Sequence, residues 1–263
     1  MDRKANICRS SSGDMDEVPP LAVDIDGTLT GRDQAVAPEA MTVLREWPAP
    51  VVVATGKAFP FPVALCQYTG IEACVIAENG GAVFVGQTDE LVFGGDPEAV
   101  DAFVAEYRER GHSLGWGDVD LANRWRETEV AVSLDQPRDP LDELAEKHGL
   151  VVIDTGYAYH VKSPGVDKGT GLRAVAEQLG HDPAEFLAVG DSINDVPTFE
   201  LAGESVAVAH SRDDSTHHVP SLSRCRRRTP IPVVTPPAAG ADGVVDCRSG
   251  RSESSSGFCR IMV

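Results

Sequence analysis

The chain has 263 residues, of which 41 are acidic and 23 are basic, and its formal net charge at pH 7 is −18. A surface with this charge repels nucleic acids and anionic membranes, so we expect neither as a partner. No apolar run of about 18 residues is present, and the N-terminus lacks the apolar segment of a secretory signal, so the sequence predicts a cytoplasmic protein.

Cysteine and lysine usage bears on the environment of the protein. The six cysteines form no CxxC pair, which argues against a zinc site or a disulfide framework and fits a reducing cytoplasm. Only five residues are lysine: Lys4, Lys57, Lys147, Lys162 and Lys168. Such an acid-rich, lysine-poor composition is typical of cytosolic proteins from high-salt organisms, and an ordinary acidic protein from a GC-rich genome is the alternative.

Strands and helices alternate in the first part of the chain. The short apolar run at 21–24 predicts a buried strand, and residues 38–47 carry apolar side chains at helical spacing after a proline. A second buried strand is predicted at 50–56, a short helix at 60–69 and a third strand at 73–81. This alternation predicts a parallel sheet covered by helices.

The pattern changes after the third strand. Two short apolar segments there predict a hairpin, and helices are predicted at 96–111 and 139–149. Alternation of apolar and polar residues at 127–134, and again within 150–163, predicts antiparallel strands. We therefore expect an α+β insert over residues 84–162.

The α/β pattern then returns. A helix is predicted at 167–180, a strand, an acidic loop and a helix at 185–203, and a last strand at 204–210. The predicted fold class is α/β, with a Rossmann-like parallel-sheet core formed discontinuously by residues 20–83 and 163–210 and interrupted by the insert.

The two ends of the chain differ from the rest. Residues 1–19 are predicted to be a disordered leader. Residues 211–263 are rich in Pro, Ser and Arg and show no helical or strand period. We interpret them as a disordered segment or as the product of a slipped coding frame, and a basic interaction tail is the alternative.

Residues suited to chemistry follow three of the predicted core strands, and a lysine begins the helix after the insert. They are Asp24 and Asp26, Thr55 and Gly56, Asp191, Asn194 and Asp195, and Lys168. In a doubly wound sheet the carboxyl ends of the strands form the ligand-binding edge, so we expect these residues to converge.

Four aspartates at one place would repel one another unless a cation lay between them. Oxygen ligands without a neighbouring Cys or His favour Mg²⁺ over zinc. A phosphate ester bound to this metal would need a hydroxyl donor and a cation, and Thr55 and Lys168 are of these types. The backbone amides around Gly27 could bind a further phosphate oxygen.

The order of the motifs carries more information than any one of them. DxDGT follows the first strand, TG the second, and KG and GDxxND come after the insert. This set resembles the haloacid dehalogenase-like superfamily of phosphatases, with motif similarity over residues 20–83 and 164–209. The position of the insert resembles the type-2 cap subclass, and its modest size resembles archaeal phosphoglycolate phosphatases.

The resemblance implies a role for each motif residue. Asp24 would be the nucleophile that forms an aspartyl-phosphate, and Asp26 would be the general acid and base. The phosphoryl group would be bound by Thr55, Gly56, Lys168 and Asn194. Mg²⁺ would be held by Asp24, Asp191, Asp195 and the backbone carbonyl of Asp26.

The implied activity is hydrolysis of 2-phosphoglycolate to glycolate and phosphate, with a small phosphate ester as the partner and homo-oligomerisation left open. A sugar phosphate or another small ester is the alternative substrate. A receiver-like signalling domain is disfavoured because DxDGT comes first and a large insert precedes Lys168. A non-catalytic scaffold is disfavoured by the intact motifs.

Four further side chains have weaker claims to a binding role. Arg126, His160 and Lys162 of the insert could bind a substrate carboxylate, but we expect them at the surface or on a strand face. Lys57 stands where many members of the family carry Arg or Asn. It is either a phosphate or carboxylate contact or a solvent-exposed side chain.

Overall fold

A computed structural model describes residues 18–31 and 33–208 of the chain. The predicted tail and nearly all of the predicted leader lie outside these residues. The strands are β1 (Leu21–Val23), β2 (Val51–Ala54), β3 (Cys74–Ala77), β4 (Ala82–Val85), β5 (Glu90–Phe93), β6 (Glu129–Ser133), β7 (Val151–Asp154), β8 (Ala158–Lys162), β9 (Leu187–Gly190) and β10 (Glu204–Ala207). The α-helices are α1 (Pro38–Glu46), α2 (Pro60–Thr69), α3 (Pro97–Glu109), α4 (Arg138–Lys147), α5 (Lys168–Leu179) and α6 (Val196–Leu201).

The larger sheet has seven strands in the order β10-β9-β1-β2-β3-β4-β5. The first five are parallel, and β4 and β5 run antiparallel at one edge. Strands β1, β2 and β3 are apolar and buried throughout, as expected for parallel strands covered on both faces. The α/β class predicted from the sequence is confirmed.

Helices cover both faces of this sheet. On one face, Leu172, Val175 and Ala176 of α5 pack against the alternate side chains of the central strands, including Val52 and Ile76. On the other face, α1 and α2 contribute to two further apolar clusters against β1 and its neighbours. Because β1 is the middle one of the five parallel strands, the residue that follows it emerges at the centre of their carboxyl edge.

A smaller unit lies between β5 and α5 in the chain. Its three strands are antiparallel in the order β6-β8-β7, and α3 and α4 cover one face. The apolar contacts come from Phe103 and Tyr107 of α3, Leu141 and Leu144 of α4, and Val161 of β8. The helices and antiparallel strands predicted for the insert are therefore present.

The predicted start of the insert at residue 84 is wrong, because it cuts through β4. The β4–β5 hairpin extends the larger sheet, with Cys74 of β3 opposite Val85 and Ala77 opposite Ala82. The physical cause is the single helical turn at Glu78–Gly80, which reverses the chain at once and returns it beside β3. The smaller unit accordingly begins near α3.

In the described part of the chain, we find no helix with the length and apolar character that a membrane span requires.

Candidate active site

Asp24 lies at the end of β1 and is buried. Its amide donates to the carbonyl oxygen of Val189 at 2.9 Å, which continues the pairing with β9 one residue beyond the strand. Its Oδ1 accepts a hydrogen bond of 2.7 Å from Nζ of Lys168. The backbone thus places this carboxylate at the centre of the sheet edge, against a cation.

Asp26 lies in a different environment, although it is only two residues further on. The chain turns after Asp24 because the amide of Thr30 returns to the carbonyl oxygen of Ile25 at 3.1 Å, with Gly27 at φ 80°. Asp26 is exposed on this turn, and its Oδ1 lies 3.0 Å from Nζ of Lys57. Lys57 is therefore partly exposed and paired with a carboxylate of the protein itself, and its contact with a phosphate or carboxylate of the substrate stays a prediction.

Lys168 is the first residue of α5, and its side chain is fully buried. Asp167 caps the helix by accepting from the amide of Thr170, so the start of the helix is well defined. Nζ of Lys168 donates to Oδ1 of Asp24 and to Oδ1 of Asp195, both at 2.7 Å. Burial by itself lowers the pKa of Lys168, but the attraction of the two carboxylates outweighs it and raises this pKa above its ordinary value.

Asp195 is held in place by the loop that follows β9. Its Oδ2 accepts hydrogen bonds of 3.0 Å from the amides of Asp191 and Ser192. A Cβ on Gly190 would lie 2.4 Å from Cγ of Asp195, so this approach needs a glycine. In the GD of the sequence motif, Gly190 is therefore required for packing and Asp191 supplies a carboxylate.

Asp24, Asp191 and Asp195 form a cluster suited to a metal ion, with one ligand atom from each within 4.8 Å of the others. Burial raises the pKa of Asp24 to about 7; Lys168 opposes this rise, and Asp195 and Asp191 add to it. A bound cation would lower this pKa again, and an all-oxygen donor set suits a hard one. The residues fit a metal site, and the Asp26 carboxylate lies outside the cluster.

Thr55 and Gly56 follow β2 at the same edge. Thr55 is fully buried, its amide donates to the carbonyl oxygen of Ile76 at 2.7 Å, and its Oγ1 accepts from the amide of Lys57 at 3.1 Å. The hydroxyl can still donate its own proton. A Cβ on Gly56 would lie 3.0 Å from Oδ1 of Asn79, so a second side chain packs closely on this turn.

Asn194 lies in the same loop as the acidic residues. Its Nδ2 donates to Oδ1 of Asn79 at 2.9 Å, and its Oδ1 accepts from the hydroxyl of Ser192. The predicted contact of Asn194 with a phosphate or with Lys168 stays a prediction.

The three basic side chains predicted for the insert are buried, so the expectation of a surface position is wrong. His160 and Lys162 do lie on a strand face, as the alternative expectation had it, while Arg126 precedes β6. The Arg126 guanidinium and Nδ1 of His160 both contact the carboxylate of Glu129, the latter at 2.9 Å. They therefore form a polar cluster between the smaller unit and the sheet edge.

Comparison with known proteins adds the family. The family model described as haloacid dehalogenase-like hydrolase matches residues 21–120 and 131–224. The chain belongs to this family. Membership of the haloacid dehalogenase-like hydrolases confirms the resemblance that the motif order indicated.

Two curated relatives of this haloacid dehalogenase-like chain carry the same name. A phosphoglycolate phosphatase of Haloarcula marismortui is 64% identical over 195 residues, covering 74% of this chain and 86% of the relative. One of Natronomonas pharaonis is 56% identical with the same coverage. The crystal structure of Thermoplasma acidophilum 0175 aligns with a TM-score of 0.64 at 29% identity, covering 74% of this chain and 87% of that one.

Two residues of this haloacid dehalogenase-like site were missed from the sequence. Glu78 and Asn79, included there only in the segment 73–81 predicted as the third strand, are buried at the sheet edge with positive φ of 52° and 51°. Oε2 of Glu78 accepts from the amide and the hydroxyl of Thr128, both at 2.8 Å. The available signal was an acid and an amide directly after the third apolar strand, at the edge where the other motifs lie.

Proposed function

We propose that the chain is a Mg²⁺-dependent phosphomonoesterase that hydrolyses 2-phosphoglycolate to glycolate and phosphate. The observation that carries the chemistry is the Lys168 ammonium, which bonds two buried carboxylates, one of them at the end of β1. The substrate is supported by the shared name of relatives that are 56% to 64% identical. A sugar phosphate is the alternative that the test below distinguishes.

The first step is attack by the Asp24 carboxylate on phosphorus. A bond forms between Oδ of Asp24 and phosphorus, the ester P–O bond breaks, and the departing alkoxide takes a proton from Asp26. Lys168 orients Asp24 and offsets its negative charge, and the Thr55 hydroxyl can donate to a phosphoryl oxygen. The side-chain amide of Asn194 donates to Asn79 and so links the loop after β9 to the turn after β3.

The second step regenerates the enzyme. Asp26 takes a proton from water as the water oxygen attacks the aspartyl-phosphate, and the bond to Asp24 breaks to release phosphate. The exposed position of Asp26 suits this role, since it can reach solvent, and the Lys57 ion pair restricts its side chain. Mg²⁺, held by Asp24, Asp191, Asp195 and the Asp26 carbonyl, would withdraw charge from the phosphoryl oxygens.

The test is a panel of phosphate esters offered to the purified full chain. We expect Mg²⁺-dependent release of phosphate, abolished by EDTA, with kcat/KM higher for 2-phosphoglycolate than for sugar phosphates. An Asp24→Asn variant should keep its fold and lose roughly 10³-fold or more in kcat. Folded protein that turns over no ester would contradict the proposal, and preference for a sugar phosphate would favour the alternative substrate.

We also propose that the enzyme works in a salt-rich cytoplasm. The acidic composition supports this, as do relatives from Haloarcula, Natronomonas and Halobacterium. Activity and unfolding temperature measured from low to molar KCl should both rise with salt. A maximum at low salt would contradict this.

A further inference from the structure

One face of the smaller sheet is directed away from its covering helices and is both polar and buried. On β8, Tyr159 and Val161 pack toward α3 and α4, so His160 and Lys162 lie on the opposite face. Glu129 of β6 is the direct cross-strand partner of Lys162. His160 is 4% exposed, Lys162 7% and Glu129 2%, which is unusual for three ionisable side chains.

The carboxylate of Glu129 is already occupied. It contacts the Arg126 guanidinium and accepts from Nδ1 of His160 at 2.9 Å and from Nδ2 of Asn79 at 3.0 Å. Among the described residues, its ion pairs are with Arg126 and His160 and not with Lys162. The usual pairing of opposite charges across two strands is therefore absent here.

Lys162 has few hydrogen-bond partners for its ammonium group. Among the described residues, its side chain makes one hydrogen bond, from Nζ to the carbonyl oxygen of Asn79, and that bond is 3.5 Å long. An ammonium group has three donors, and burying it without an anion is costly. Burial lowers the pKa of Lys162, with the charge of Lys168 adding to that effect and Glu129 and Asp167 opposing it.

The ammonium lies next to the proposed phosphoryl site. Asn79, its one hydrogen-bond partner, donates from its amide to the Thr55 carbonyl at 3.1 Å and accepts from Asn194 at 2.9 Å. Around this asparagine, the Arg126 guanidinium contacts the carboxylate of Glu129, and the carboxylate of Glu78 accepts from the amides of Glu127 and Thr128. Among the described residues Lys162 is left without an ion pair, which suits a direct contact with an anionic group on the substrate.

We propose that Lys162 binds the carboxylate of the substrate while Asp24 attacks its phosphoryl group. This deepens the proposed function and depends on it. In 2-phosphoglycolate a single carbon separates the phosphate oxygen from the carboxylate, so both anionic ends must be met within one small site. Arg126 and His160 act as positioning residues, because by holding Glu129 they keep it from neutralising Lys162.

The test compares two substrates on Lys162→Met, which retains the length and apolar stem of the side chain without its charge. We expect kcat/KM for 2-phosphoglycolate to fall roughly 10- to 100-fold, the usual effect of losing a charge-assisted hydrogen bond. For 4-nitrophenyl phosphate, which has no carboxylate, kcat/KM should change less than about twofold. Lys162→Arg should recover part of the lost preference.

Stability provides an independent readout. A lysine that stabilised the fold would lower the unfolding temperature when removed, whereas removal of a buried cation without an anion should leave it unchanged or raise it. Lys147→Met is the matched control, since this exposed lysine pairs with Glu106 in the same unit. We expect kcat/KM for both substrates to stay unchanged in this variant.

The outcomes separate this inference from the function beneath it. Wild-type enzyme that hydrolyses esters without preferring 2-phosphoglycolate would overturn the proposed function, and the carboxylate site with it. A wild-type preference that persists in Lys162→Met, or an equal loss on both substrates, would overturn the Lys162 site alone. A Lys162→Met chain that does not fold would assign Lys162 to stability and also reject the site.

Discussion

Nδ2 of Asn194 donates to Oδ1 of Asn79 at 2.9 Å, although the two asparagines are 115 residues apart in the chain. Asn79 also donates to Oε2 of Glu129 at 3.0 Å, and its amide donates to the Thr55 carbonyl. Its φ of 51° lies in the left-handed region, which asparagine tolerates better than most residues. One residue thus connects the acidic loop, the turn after β2 and the smaller unit.

Replacing Asn79 should therefore affect both stability and catalysis. In Asn79→Ala the Glu129 carboxylate and the Asn194 amide each lose a buried partner, so we expect the free energy of unfolding to fall by about 2 kcal/mol. The loop that carries Asp191 and Asp195 loses a contact, so kcat should fall about 10-fold or more. Urea unfolding and steady-state kinetics measure the two effects.

Asn123→Ala is the control for this variant. Asn123 bonds both backbone groups of Ala131 within the smaller unit, away from the acidic loop. We expect it to lower stability by a comparable amount and to leave kcat unchanged. Equal losses of kcat in the two variants would mean that Asn79 acts only through the fold.

Gly190→Ala tests the close packing of Asp195. The new Cβ would lie 2.4 Å from Cγ of Asp195, so the carboxylate must move away from Lys168 and from the metal cluster. We expect activity to fall at least about 100-fold, as for loss of a preorganised charged group. Gly94→Ala is the control, because its Cβ would meet no atom closer than 3.6 Å. Similar activity in both variants would contradict the requirement for glycine.

Lys168→Met removes the cation between two buried carboxylates. Because Asp24 and Asp195 would then repel each other, we expect unfolding to become easier by about 3 kcal/mol and activity to fall roughly 100- to 1,000-fold. Mg²⁺ should raise the unfolding temperature more in this variant than in the wild type, since it would be the remaining cation. A Mg²⁺ response no larger than that of the wild type would argue against a shared site.

The lowered pKa of Glu129 predicts that the free energy of unfolding decreases as the pH falls. Burial alone would raise the pKa of this carboxyl, but the charges of His160 and Arg126 lower it from 4.5 to about 2. The unfolded chain takes up this proton near 4.5 and the folded chain only near 2, so the stabilisation is complete above pH 5 and is lost as the pH falls. The linked free energy is on the order of 3 kcal/mol.

Glu129→Gln removes this titration. We expect the difference in free energy of unfolding between wild type and variant to shrink steadily between pH 5 and pH 3, as measured by urea unfolding. Glu46→Gln, at the exposed end of α1, should show no such change. A wild-type-to-variant difference that stays constant with pH would contradict the assignment.

The convergence of Asp24, Lys168 and Asp195 could be predicted because strand ends in a parallel sheet share an edge. Each motif follows or precedes an element whose direction the hydrophobic pattern makes clear, so a correct element order was sufficient. The unequal burial of Asp24 and Asp26 could not be predicted from their spacing. It depends on where the strand ends and the turn at Gly27 begins.

The attachment of the β4–β5 hairpin and the burial of Lys162 depend on contacts between distant segments. Short alternating strands look alike whichever sheet they join, and the turn at Glu78 decides the pairing. Basic side chains on strands usually face water. His160 is buried instead because Glu129 comes to lie beside it, and 50 residues separate Glu129 from the asparagine that it also binds.

The hydrogen bonds from the backbone of the smaller unit to Glu78 limit how this unit can be exchanged between relatives. The carboxylate accepts from the amides of Glu127 and Thr128, and a Cβ on neighbouring Gly81 would lie 1.8 Å from the Thr128 hydroxyl. A graft of this unit from a relative must therefore bring its own matching acid and glycines to the host turn. In such chimeras, substrate preference would therefore be transferred only when the turn after β3 and the segment before β6 are exchanged together.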